Sequence, residues 1–104
     1  MNYQENNVSL HPKVNLSLLD DLDEFCHNTF LSRRSAIIYI IRYHLSYSNR
    51  DLLRLKAVDK GNIKLHLHLP KDLIKDLDVI AKDINSSRNR LVVMMVSDYL
   101  AMSF

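Results

Sequence analysis

Three histidines stand at alternate positions beside two lysines and a serine. In one stretch the order is Ser9, His11, Lys13, and in a second it is Lys64, His66, His68. Such side chains offer hydrogen-bond donors, with an acceptor on serine and on neutral imidazole, so they suit recognition of polar edges better than bond breaking. Two further triplets, Ser32-Arg33-Arg34 and Ser87-Arg88-Asn89, open apolar stretches. Serine at such a point can cap a helix, and the uncapped N–H groups of a helix start can hold an anion; capping and anion docking use the same residue types. Catalysis is not supported, and no enzyme is expected. With one glycine there is no phosphate-cradling loop, and no nucleophile, base and orienter assemble from these motifs. The five histidines lack paired-ligand spacing, and the single Cys26 has no partner in the chain, so neither metal, cofactor nor disulfide is indicated. His11, His66 and His68 could also be surface bystanders.

These residues recur because the chain repeats. Sliding it along itself pairs residues 8–49 with 63–104 without a gap, matching Leu10/Leu65, His11/His66, Leu18/Leu73, Asp23/Asp78, Ser32/Ser87, Arg33/Arg88 and Leu45/Leu100 as identities. Apolar class is kept at Val14/Leu69, Phe25/Ile80, Ile37/Val92, Ile38/Val93 and Ile41/Val96, and Cys26, against Ala81, reads as a small buried hydrophobe.

Each repeat reads as a strand followed by two helices. Ile63, Leu65, Leu67 and Leu69 alternate with Lys64, His66 and His68, the period of a strand with one buried face. Pro70 is expected to end that strand and sit in the first turn of a helix, with Asp72 at its positive end. Leu73, Leu77, Ile80, Ala81 and Ile84 share one helical face, and the acids around them read as a solvated one. After Asn85-Ser86-Ser87 a helix over 88–102 is apolar over much of its circumference and must be buried on more than one side. In the first repeat Val8, Leu10, Pro12 and Val14 face inward, Asn15 or Ser17 caps a helix bearing Leu18, Leu22 and Phe25, and a second helix covers 33–46. Pro12 is tolerable only if its missing N–H points away from a partner strand. Phe30 and Leu31 stand where the second repeat has Asn85 and Ser86, which leaves two apolar residues facing solvent or a partner. Between the repeats, Leu52, Leu53, Leu55 and Val58 suggest some helix, and Asp59-Lys60-Gly61-Asn62 a turn that uses glycine's permissive φ.

A lone strand leaves its backbone groups unsatisfied, so the two strands are expected to pair antiparallel. The fold class expected is α+β, mainly helical: two tandem units forming an intramolecular pseudo-dimer, with one two-stranded ribbon and four main helices. Residues 1–7 read as a flexible tail, 8–49 and 63–104 as the units, 50–62 as a connector, and 8–104 together as one compact domain.

The run Leu65-His66-Leu67-His68-Leu69-Pro70, followed by Leu73, Leu77, Ile80-Ala81, Asn85, Ser87-Arg88 and an apolar helix, resembles the ribbon-helix-helix family of the Arc and Met repressors. Its tandem form resembles conjugative-plasmid relaxosome accessory proteins of the TraY type. The resemblance implies double-stranded DNA as partner, with Ser9, His11, Lys13, Lys64, His66 and His68 at base edges and Ser32, Arg33, Arg34, Ser87, Arg88 and Asn89 at phosphates. Departures are Pro12, Asn15 in place of a strand-ending proline, and a ribbon without arginine. The role implied is a transcriptional repressor or a transfer-origin accessory factor working with a relaxase or other DNA-processing protein. A protein-interaction module that has lost DNA binding is the alternative. An antitoxin is a weaker option, because nothing follows the second unit to wrap a toxin. The chain would act as a monomeric pseudo-dimer, assemble side by side on DNA, or form a homodimer.

The formal charge of +2 is too small to imply nucleic acid by itself, although the acids at 20–24 and 72–83 leave room for a basic face elsewhere. No apolar run reaches the length of a membrane span and the start lacks a signal pattern, so no membrane partner and a cytoplasmic location are expected.

Overall fold

The computed structural model describes residues 6–47, 55, 58–59 and 61–102. The element order is β1 (Asn7–Leu10), β2 (Lys13–Val14), α1 (Leu16–Thr29), α2 (Arg33–Tyr47), β3 (Ile63–Lys64), β4 (Leu67–Pro70), α3 (Lys71–Asp83) and α4 (Arg88–Met102). This is an α+β, mainly helical fold in which two strand-helix-helix units pair through an antiparallel ribbon. β1 pairs with β4, from Asn7 opposite Pro70 to Leu10 opposite Leu67. β2 pairs with β3, Lys13 opposite Lys64 and Val14 opposite Ile63, so a single register runs the length of the ribbon.

The helices begin and end where local chemistry stops them. Asn15 caps α1, its Oδ1 accepting the Leu18 N–H at 2.8 Å. Ser32 Oγ accepts from Ser35 N and Ser87 Oγ from Arg90 N, each at 3.1 Å, so both serines cap the helices that follow. Pro70 lies one position earlier than expected: it closes β4 with φ −58° and ψ 143°, and α3 starts at Lys71. The first helix of each unit ends on a left-handed residue, Phe30 (φ 60°) and Asn85 (φ 56°). Behind them Leu31 N donates to Cys26 O and Ser86 N to Ala81 O, bonds that satisfy carbonyls the helix leaves open.

α2 and α4 run through the centre, which explains why neither has a clean polar face. Ile37, Ile40 and Ile41 of α2 and Leu91, Val92 and Met95 of α4 are buried together with Leu22 of α1, Leu73 and Leu77 of α3 and Leu69 of β4. Each such side chain contributes roughly 1.5–3 kcal/mol on leaving water. Leu55 and Val58 of the connector rest against this core but belong to no helix, whereas Leu52 and Leu53, which also suggested one, lie outside the described residues, as do residues 1–5 of the tail; Asn7, expected in that tail, belongs to β1.

Gly61 is needed for a reason other than the one expected. No glycine has a positive φ, but a Cβ built on Gly61 would overlap the backbone of Val14 and Asn15, where β2 turns into α1. Close approach of two chain segments, not turn geometry, requires hydrogen at this position.

Candidate nucleic-acid interface

The ribbon's hydrogen-bond phase sorts its side chains. Leu65 N donates to Pro12 O at 2.9 Å, so Pro12 and Leu65 form a hydrogen-bonded pair. In an antiparallel ladder such pairs alternate with non-hydrogen-bonded ones, whose Cα atoms and side chains lie closer. With the observed register, Val8–Leu69, Leu10–Leu67, Pro12–Leu65 and Val14–Ile63 fall in the first class and turn inward. Ser9–His68, His11–His66 and Lys13–Lys64 fall in the second, and all six outward side chains are exposed. Pro12 departs from expectation. Its carbonyl faces the partner strand and so does its nitrogen, which has no hydrogen to return to Leu65; the ladder is therefore interrupted between the β1/β4 and β2/β3 segments. Burial of the proline ring against the core accompanies that lost bond.

Because His11 and His66 are both equivalent by repeat and opposite by register, the pseudo-twofold axis relating the units passes between them. Their rings meet edge to face, centroids 4.9 Å apart and 73° between planes. The axis maps one arm of the ribbon, Ser9 opposite His68, onto the other, Lys64 opposite Lys13. The arms differ in chemistry. On the first, Ser9 Oγ lies 3.2 Å from His68 Nδ1; on the second, two ammonium groups share one end.

The helix starts flanking the ribbon hold most of the expected phosphate-contacting residues in contacts of their own. Arg33 Nε and Nη2 donate to the two carboxylate oxygens of Asp23 at 2.8 and 2.9 Å. Arg88 does the same to Asp78, at 2.7 Å for both bonds. The guanidinium hydrogen bonds hold both carboxyls below the ordinary aspartate value and raise both arginines. Asp23 and Asp78 therefore are not simply part of a solvated face; each fastens the start of its unit's second helix to the first. Sequence reasoning matched both Asp23/Asp78 and Arg33/Arg88 but missed that the two identities belong to one contact. Ser32 and Ser87 are engaged as caps, as described above.

Comparison of the chain with protein-family models, curated proteins and solved structures finds no match in any of the three. The case for a function therefore rests on the geometry.

Arg34 and Asn89, equivalent by repeat, have different fates. Arg34 Nε donates to the His68 carbonyl at 2.7 Å and its Nη2 to Asn7 Oδ1 at 3.2 Å, bracing β1 and β4 from α2. The shorter Asn89 faces an open cleft of about 420 Å³ against the lysine arm, lined also by Lys13, Gly61, Ser87 and Arg90, with Val93 and Met94 among its apolar walls. Arg90 thus joins the basic groups around this end of the ribbon, although it was not among the expected phosphate-contacting residues.

His44 was also missed. It falls on the α2 face spaced through Ile37, Ile40 and Ile41, and it is 1% exposed. Its Nε2 lies 3.0 Å from the Met95 carbonyl, which can only accept, so this nitrogen carries a hydrogen and donates it; Nδ1 is buried with no partner among the described residues. Cys26 is a free thiol pushed up by burial. Phe30, held in its left-handed turn, is 95% exposed, whereas Leu31 packs against the core. Among the described residues no group of three or more His, Cys, Asp or Glu side chains forms a metal-ligand set, and no helix is long and apolar enough to cross a membrane.

Proposed function

We propose that the chain is a sequence-specific double-stranded DNA-binding protein that inserts its ribbon into the major groove. The observation that carries this reading is the outward alignment, on one exposed two-stranded ribbon, of Ser9, His11, Lys13, Lys64, His66 and His68. A major groove about 12 Å wide admits such a ribbon, and lysine and histidine donors match guanine O6 and N7. Ribbon contacts choose sequence, while the starts of α2 and α4, flanking the ribbon, fix the register through phosphates. Helix-start N–H groups, with Asn89 and Arg90, carry more of that second role than Arg33, Arg34 or Arg88, whose guanidinium groups already have protein partners. The biological setting that fits is a repressor or an accessory factor at a plasmid transfer origin, without catalysis by this chain.

A random-sequence DNA pool titrated at two salt concentrations tests the reading. Binding should weaken steeply with salt, by roughly one power of concentration per phosphate contacted. The Lys64→Ala/His66→Ala variant should relax sequence preference, and Asn89→Ala with Arg90→Ala should weaken all sequences alike. No saturable binding at the lower salt would end the proposal. Exposed Phe30 is the observation that favours a second reading, a protein-interaction module on the same fold; in that case a partner would be captured by the wild type and not by Phe30→Asn.

A further inference from the structure

The middle of the ribbon is unusual for a groove-reading surface because it presents imidazoles and no arginine. His11 and His66 face each other across the pseudo-twofold axis at 4.9 Å, and His68 stands next to them on the Ser9 arm. The charged groups around them are mostly cationic. Lys13 and Lys64 occupy the opposite arm; Arg34 reaches the ribbon edge from α2; Arg90 of α4 shares the cleft with Lys13 and with Asp59 of the connector; Lys71 and Asp72 open α3 behind Pro70. Among the described residues, none of the three imidazoles is hydrogen-bonded or ion-paired to a carboxylate; Ser9 is the one polar side chain within hydrogen-bond distance of any of them.

Histidine is the side chain whose charge ordinarily changes between about pH 5 and 8. A neutral ring has one donor and one acceptor, whereas an imidazolium has two donors and a charge. Two imidazolium rings in contact repel each other, and lysines nearby add to the repulsion. A duplex reverses the balance, since it supplies phosphate charge on both sides of the groove and, at guanine, two acceptors in the groove floor.

We infer that DNA binding by this ribbon is coupled to proton uptake at His11, His66 and His68, and that the protonated surface selects guanine at the centre of its site. This rests on the DNA-binding reading above. It goes further by assigning the ribbon a pH-dependent affinity and a base preference. The proton comes from solvent and returns to it when the complex dissociates. Each proton taken up can raise affinity by at most about tenfold per pH unit. Lysine as a residue type does not ordinarily change charge in that range, so the change is centred on the histidines.

The test measures affinity for the DNA selected from a random pool at about pH 6 and about pH 8, at constant ionic strength, for the wild type and for His11→Gln/His66→Gln. These side chains are exposed, and circular dichroism confirms that the variant is folded. The wild type should gain roughly tenfold or more on acidification, and the variant should gain clearly less, whatever its affinity at the upper pH. Calorimetry in buffers of different ionisation enthalpy should show protons absorbed by the wild type on binding. The pool selected at the lower pH should be richer in guanine at its centre. Tight wild-type binding that is indifferent to pH, a gain kept in full by the variant, or no central guanine enrichment would overturn the inference and leave the DNA-binding reading intact. Failure to bind DNA at either pH would overturn both.

Discussion

Arg88 makes two short bonds to Asp78, and its repeat equivalent Arg33 makes the same pair to Asp23. All four partners are between a third and a half exposed, so each pair contributes less than about 1 kcal/mol at neutral pH despite good geometry. The folded-state pKa of both aspartates lies below the ordinary value of 3.8, held down by the arginine hydrogen bonds. Their contribution is therefore complete above that value and fades as pH falls through it and on through the lower folded value. Urea midpoints for Asp78→Asn should fall below wild type at pH 7 and converge with it at about pH 2; an equal gap at both would show that the loss is not electrostatic. The same variant releases Arg88. Measured against DNA, it should bind more tightly and with a salt slope steeper by about one, and a weaker complex would mean that the carboxylate positions the arginine for its contact. Gly61 belongs to this scale as well: Gly61→Ala drives a methyl into the Val14–Asn15 backbone and should cost about 2–3 kcal/mol in a thermal or urea unfolding series.

At the scale of elements, the helix ends show how one architecture can be reached at different cost. Asn85 takes the left-handed conformation that ends α3, and asparagine tolerates it. Phe30 takes the same conformation after α1 with a large side chain in solvent. Left-handed backbone costs a residue with an ordinary side chain roughly 1–2 kcal/mol, so Phe30→Gly should raise stability by about 1 kcal/mol. A fall in the unfolding midpoint would show that the ring makes contacts that matter. The ribbon shows a related compromise. Pro12 fills an inward position and gives up one ladder bond, which the hydrogen-bonded segments on either side and the buried faces beneath them offset. His44 fastens the central pair of helices, its Nε2 reaching from α2 to Met95 of α4. His44→Ala should cost about 2–4 kcal/mol through the cavity and the lost bond, read in the same unfolding assay.

For the whole molecule, joining the two units in one chain removes the requirement that they be identical. Opposite Ser9 stands His68, and opposite Lys13 stands Lys64, so the ribbon has a polar arm and a basic arm about a histidine centre. The site selected from random DNA should accordingly be imperfectly palindromic; recovery of a perfect palindrome would contradict the asymmetry seen in the ribbon.

The sequence by itself determined the repeat, the element types and the alternation that turns Ser9, His11, Lys13, Lys64, His66 and His68 to one face, because periods of two and of 3.6 residues are local properties. It also carried the expectation that the strands pair, since an unpaired strand is unstable. Pairing register was a different matter. Only the fold set His11 against His66, placed Gly61 under Val14, joined Arg33 to Asp23 and Arg88 to Asp78, and sent Arg34 to the ribbon edge while Asn89 left a cleft at the matching place. Each is a contact between segments remote in the chain, and spacing along one segment carries no record of which atoms another will bring to it.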